Sequence, residues 1–211
     1  MKHIIGADEV GRGCVAGDVV VAAVMVEEGA PHVEGVRDSK KLSPARREAL
    51  SAKLLSDPHV RYKIVFRPAS EVDRRGISAV LRDCFEEAVN HLAALESAGV
   101  VARIDGNPFP ITVAPPVEFI VKGDDKEYTI GAASIIAKVA RDAYMVEQGA
   151  LYPGYGFETH AGYGTPVHIE AIKRLGLSPI HRVTFCRAWV PQAGVQVFED
   201  DGILDLFGED S

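Results

Sequence analysis

Two acids stand side by side at Asp8 and Glu9, at the end of a short apolar run and directly before Gly11, Gly13 and Gly17, three glycines within seven residues. Two more acids repeat the theme: Asp105 closes the apolar run Val100 to Ile104 in Asp105-Gly106-Asn107, and Asp124 follows Val117 to Val121 in Lys122-Gly123-Asp124. Each is an acid at the end of a strand-like segment with glycine beside it. Strand ends on one edge of a sheet could bring the four together. Adjacent strand residues point to opposite faces, so Asp8 and Glu9 reach one site only if the chain turns there, and the glycines make that turn possible. Four carboxylates at close range repel and raise one another's pKa values unless cations neutralise them. Hard oxygen ligands select magnesium or manganese. Two such ions could activate a water, neutralise an attacked phosphate and stabilise a leaving oxygen, which is phosphodiester hydrolysis without a protein nucleophile. Taken singly, each acid reads more readily as a turn-former or a solvated charge; the combination moves the reading.

The elements that must position these acids follow from periodicity and punctuation. Lys2 to Ala7 and Asp18 to Glu27 read as two strands of a hairpin around the Gly11 to Gly17 turn, and Arg61 to Arg67, Val100 to Ile104 and Val117 to Val121 read as three more. Pro44 to Leu55 reads as a helix with Ser43 as N-cap and Pro44 at its first position. Ser78 to Ser97 has helical spacing at Val80, Cys84, Ala88 and Leu92. Ala132 to Gln148 carries Ile136, Val139, Ala140 and Ala143 on one face, with Lys138 and Asp142 spaced for an ion pair. His168 to Leu175 reads as a further short helix. Strands mixed with helices, with a hairpin first, suggest an α/β fold: a mixed central sheet covered by helices on both sides.

At 211 residues the chain suits one compact body, residues 1–190, with a polar, acidic tail at 191–211. Cys14, Cys84 and Cys186 are odd in number and widely spaced, which argues against a disulfide framework or zinc site and for a reducing cytoplasm. The N-terminus lacks the pattern of a signal peptide and no run approaches membrane-spanning length. Nothing demands more than a monomer. A net charge of −7 opposes nucleic-acid binding, but residues 199–211 hold six acids and no base, leaving −1 for the rest. Neutralising four site carboxylates would leave the body mildly positive.

The residues resemble a known family. Asp8-Glu9-Val10-Gly11-Arg12-Gly13 is similar to the acid pair and Gly-Arg-Gly of the ribonuclease HII family. The resemblance continues in order through Asp38 to Ser43, Asp105-Gly106-Asn107, Lys122-Gly123-Asp124, Ala132 to Lys138, Tyr152 to Gly156, His160 to Thr165 and Pro179-Ile180-His181-Arg182. It implies an RNase H-like sheet with a C-terminal helical part, a catalytic domain over 1–190, and Asp8, Glu9, Asp105 and Asp124 as the catalytic and metal-binding set for two Mg2+ or Mn2+ ions. It implies action on RNA/DNA hybrids and on DNA duplexes containing ribonucleotides. Gly11, Arg12 and Gly13 would approach the ribose and read its 2′-hydroxyl through backbone groups, and Tyr163 would pack on the following deoxyribose. Lys40, with Lys41, could hold phosphates or simply serve solubility; Arg12 could do the same or brace the turn. His160, His168 and His181 lack zinc spacing and read as structural or phosphate-adjacent.

Three departures from the family pattern stand out: Asp18 in place of proline, Ala161 in place of lysine, and Gly76 in place of asparagine. In the tail, Ile203-Leu204-Asp205-Leu206-Phe207 partly resembles the peptide by which bacterial proteins dock on the sliding clamp; a terminal segment tucked onto the body is the other reading. Two rival functions remain: a related metal nuclease acting on DNA, which loss of Gly11-Arg12-Gly13 would favour, and a non-catalytic binding module, which loss of an acid would favour.

Overall fold

The computed structural model describes residues 2–36, 42–97 and 99–190. Lys40, Lys41 and the Ile203 to Phe207 segment lie outside the described residues.

The first two strands, β1 (His3–Val10) and β2 (Val19–Glu27), pair antiparallel, and β3 (Arg61–Arg67) pairs antiparallel to β2. On the other side of β1 lies β4 (Val100–Asp105), parallel to it, followed by the parallel β5 (Val117–Ile120). The sheet order is therefore β3-β2-β1-β4-β5, mixed as expected.

Both faces of this sheet are buried, which explains the unbroken valine-rich character of β2. Its odd residues Val19, Val21, Ala23 and Met25 face a core shared with Val80, Cys84, Phe85, Ala88 and Leu92 of the helix α3 (Ile77–Ala93). Its even residues Val20, Ala22, Val24 and Val26 face Leu50 and Leu54 of α1 (Pro44–Ser56) and Ala132, Ala133, Ile135, Ile136 and Ala137 of α5 (Tyr128–Leu151). In α1 the Ser43 side chain accepts from the Arg46 amide, as its N-cap position requires.

Four short helices escape periodicity: α2 (Ala69–Arg75), α4 (Gly123–Lys126), α6 (Phe157–His160) and α8 (Val183–Cys186). With α7 (Pro166–Leu175), α6 and α8 form the C-terminal helical part, which packs on Val15, Ala16 and Met145. That part returns to the glycine-rich turn: Ala16 bridges His181, Gly17 N–H donates to Ile180 O at 2.8 Å, and Arg182 N–H donates to Val15 O at 2.8 Å. The loop carrying Gly11, Arg12 and Gly13 is thus clamped from the far end of the chain.

Candidate active site

A cleft of about 300 Å³ opens at the C-terminal ends of β1 and β4, lined by Asp8, Glu9, Asp105, the Gly11 to Gly13 turn, and the side chains of Ser134, Lys138 and Tyr163. Its first acids sit differently from the sequence expectation. The chain does not turn at Asp8; β1 continues through Val10, paired to β2. The pairing with β4, however, ends at Ala7 opposite Ile104. Beyond that point β1 has an open edge, and both Asp8 and Glu9 reach the cleft over it without a turn between them. The Asp8 carboxylate accepts from the Glu9 N–H at 2.8 Å, which bends it along this edge.

The electrostatics are those of crowded like charges. Asp8 is 6% exposed, and burial, then the charge of Glu9, push its pKa up to about 7, with Asp105 adding less and a hydrogen bond from Ser134 opposing. Glu9 is also raised, chiefly by burial, with Arg12 pulling the other way and Asp105 adding to the rise. The charges of Glu9 and Asp105 thus act on Asp8, and that of Asp105 on Glu9, which makes the three acids one electrostatic unit.

Asp124 stands one residue beyond this unit. The Gly123 N–H donates to Asp105 Oδ1 at 2.6 Å, so the chain carrying Asp124 is fastened to Asp105. Asp124 itself is 3% exposed and does not line the cleft wall, while its neighbour Asp125 faces solvent. The left-handed residue of this bend is Lys122, at φ 57°, where a glycine-assisted bend was expected. Gly123 serves close approach instead: a Cβ there would lie 2.6 Å from Ile130 Cδ1 and 3.3 Å from Asp105 Oδ1.

As the side chains stand, no three His, Cys, Asp or Glu groups among the described residues close around a point tightly enough to share an ion. Glu9 faces Arg12 at 3.7 Å and Asp105 faces the Gly123 amide. The donor chemistry nevertheless fits a hard divalent cation, being all carboxylate oxygen, and burial beside other acids disfavours the charged form of Asp8, which such a cation would restore.

The rim is basic and aromatic. Arg12 projects into solvent rather than bracing the turn; that work falls to Arg141, which no motif singled out, and to Arg182, which stands in a family-like motif but was assigned no role. Arg141 donates to the carbonyls of Asp18, Ala161 and Ala16, and Arg182 to those of Arg12 and Gly17. Lys138 lines the cleft while pairing with Asp142 at 2.7 Å, as its spacing indicated. Tyr163 is 43% exposed, on the cleft wall. Of the departures, Asp18 accepts a hydrogen bond from the Tyr144 hydroxyl at 2.9 Å, Gly76 joins α2 to α3, and Ala161 takes a left-handed φ of 48°. His160, His168 and His181 pack against one another within the C-terminal part.

The model of the family described as ribonuclease HII matches residues 5–188. The chain belongs to the ribonuclease HII family. Membership makes it a ribonuclease, a hydrolase of phosphodiester bonds. A ribonuclease HII from Laribacter hongkongensis is 45% identical over 185 residues, covering 87% of this chain and 91% of its own. Among solved structures, ribonuclease H2 from Pyrococcus horikoshii superposes with a TM-score of 0.73 at 28% identity, over 88% of this chain and 96% of that one, so the RNase H-like fold is as the motifs implied. The ribonuclease HII in a PCNA:RNase HII complex from Archaeoglobus fulgidus superposes with a TM-score of 0.70 at 28% identity, over 85% and 93%. No helix among the described residues is long and apolar enough to cross a membrane.

Proposed function

We propose that this ribonuclease cuts the RNA strand of RNA/DNA hybrids and the phosphodiester on the 5′ side of a single ribonucleotide embedded in duplex DNA, leaving 3′-hydroxyl and 5′-phosphate ends. One observation carries the reading: the acids Asp8, Glu9 and Asp105 share a cleft with the Gly11-Arg12-Gly13 turn. Hydrolytic carboxylates thereby sit beside backbone groups able to approach a sugar, and the 2′-hydroxyl is what separates RNA from DNA at a single position.

Asp8, Glu9, Asp105 and Asp124 would hold two divalent cations, Mg2+ or Mn2+. Bound there, the ions would supply an activated water and charge neutralisation at the phosphate and the leaving oxygen. Ser134 steadies the Asp8 carboxylate by hydrogen bonding, and the Gly123 amide steadies Asp105. Arg12 and Lys138, with Lys40 beyond the described residues, would receive phosphates, and Tyr163 offers a ring face to the sugar next to the ribonucleotide. Three free, buried cysteines accord with work in a reducing cytoplasm. The Ile203 to Phe207 segment would dock on a sliding clamp, a reading supported by the clamp complex of the Archaeoglobus relative.

The test is a set of end-labelled duplexes with Mg2+ or Mn2+: one embedded ribonucleotide, full hybrid, and all DNA. Cleavage at the ribonucleotide and in the hybrid, with the DNA intact, is expected. An uncut single-ribonucleotide duplex would remove the proposal.

A further inference from the structure

The Gly11 to Gly13 turn can sense a sugar only if its peptide groups are held at a fixed angle, and the side chain that holds the central one comes from the other end of the chain. Arg182 is fully buried. Its Nη1 donates to the Arg12 carbonyl at 3.1 Å and its Nη2 to the Gly17 carbonyl at 2.9 Å, so one planar fork spans both ends of the loop. The Arg12 carbonyl and the Gly13 N–H belong to one peptide unit. In a planar trans peptide they point in opposite directions, so drawing the carbonyl inward drives the N–H outward.

Two further observations agree. Gly13 N–H donates to no group among the described residues, although the turn closes around it with Cys14 N–H donating to Gly11 O at 3.2 Å. Gly13 also has an ordinary φ, and a Cβ placed there would meet nothing within 4 Å. The protein's own packing does not call for glycine at this position. A ligand pressed close against the peptide does.

We infer that Arg182 is a positioning residue for sugar discrimination: it aims the Gly13 N–H into the cleft as the donor that meets the ribose 2′-hydroxyl oxygen. This rests on the functional reading above. Arg182 can do so because it cannot follow the loop. Its own N–H is bonded to Val15 O, its guanidinium lies 5.5 Å from the centre of the Phe185 ring, and the two residues after it are fastened to α2, where the Asp73 carboxylate accepts from the amides of Val183 and Thr184 at 2.7 and 2.9 Å. The remaining nitrogen, Nε, is buried without a partner. The side chain thus tolerates an unpaired N–H while its two terminal nitrogens hold the carbonyls. Lysine, a single point donor, could not hold both carbonyls at once.

Arg141 supplies the control. It is equally buried and also donates to loop carbonyls, but to those of Ala16, Asp18 and Ala161, not to that of Arg12. A purely structural brace predicts the same effect from either arginine; aiming of Gly13 predicts an effect from Arg182 alone.

The experiment is equilibrium binding by fluorescence anisotropy in EDTA, with two DNA duplexes differing only in one ribose against one deoxyribose. Arg182→Lys should lose about tenfold of the ribose preference, the value of one hydrogen bond, with affinity for the all-DNA duplex kept. Arg141→Lys should keep the preference whatever its loss in thermal midpoint. Full preference in Arg182→Lys, or equal loss in Arg141→Lys, overturns the assignment. Amide spectra of the 15N-labelled wild type test it without any variant: the Gly13 N–H should exchange freely with solvent and shift with the ribose duplex only. A Gly13 amide protected in the free protein, or shifted alike by both duplexes, also overturns it, as does a cleaving wild type with no ribose preference. A wild type that neither cleaves nor prefers ribose would instead end the functional reading itself.

Discussion

His168 and His181 meet nitrogen to nitrogen, Nε2 to Nε2 at 3.0 Å, with both side chains buried. Their outer nitrogens fix the tautomers. His181 Nδ1 accepts from the Ser178 N–H at 2.8 Å, so its Nε2 carries the proton that points at His168; His168 then carries its own on Nδ1, which donates to the Tyr163 carbonyl at 2.8 Å. The relay is complete with both rings neutral; one more proton would set two N–H groups face to face, at the His168–His181 contact or against the Ser178 amide. Burial pushes each imidazole down to about 4.

That relay sets an acid limit on stability. The unfolded chain takes up protons at these histidines below about pH 6.5, while the folded chain resists until about pH 4. Stability from the pair is therefore fully present above pH 6.5 and is lost as pH falls toward 4. Asp8 works in the opposite sense, since its raised value makes its contribution favourable at low pH and lost as pH rises through about 7. The difference between the wild type and a His168→Gln, His181→Gln double variant isolates the pair. Thermal midpoints at pH 7.5 and 5 should show a loss in the wild type that the double variant lacks; parallel profiles would refute the relay.

On the proposed function, Asp8 would link stability to catalysis at the cleft. Held near half-protonation at neutral pH by burial and its acidic neighbours, it must give up its proton to take a cation. Titration of Mn2+ at pH 7 in two buffers of different ionisation enthalpy should show proton release, with affinity rising as pH increases. Asp8→Asn removes the buried charge and should stabilise the cation-free protein by on the order of 1–2 kcal/mol while lowering turnover about a thousandfold or more. A lower thermal midpoint in EDTA together with near-normal turnover would contradict the role given to this residue.

Much of this was legible because period and position carry physical meaning. The valines of β2 mark a strand buried on both faces, and Asp105 at the end of β4 lies where a sheet edge opens. The missing turn at Asp8 could not be read, because it depends on β4 ceasing to pair at Ala7, a fact of register between distant segments. The arginine braces were hidden for another reason: a charged residue reads as surface. The face read from the sequence, Ile136, Val139, Ala140 and Ala143, runs out to an exposed Ala143; the buried stripe is instead Ala137, Arg141 and Met145, every fourth residue, with a charged residue at its centre. Arg182 offered no such pattern, and its role emerges only from the return of the C-terminal part to the loop.

Docking by the acidic tail can be tested apart from the chemistry. Removing Gly202 to Ser211 should abolish clamp capture in a pull-down with purified clamp, and leave cleavage of a short single-ribonucleotide duplex within about twofold, because the cleft and its braces all lie within 8–182. Undiminished clamp capture would count against the docking role.

Gly11 and Gly13 flank Arg12 yet should fail in different ways. Gly11 has a φ of 88°, and a Cβ there would lie 2.3 Å from Arg141 Nε, so alanine must strain the backbone and displace a buried brace. Gly11→Ala should cost about 2–4 kcal/mol of stability and activity with it. At Gly13 the φ is ordinary and the space open, so alanine should leave stability within about 1 kcal/mol, and can even raise it by restricting the unfolded chain. The added methyl then stands where the sugar must come, and kcat/KM on the single-ribonucleotide duplex should fall about a hundredfold. Denaturant midpoints and kinetics on the two variants decide this: a stable Gly13→Ala protein with wild-type kcat/KM would mean that no sugar approaches that peptide.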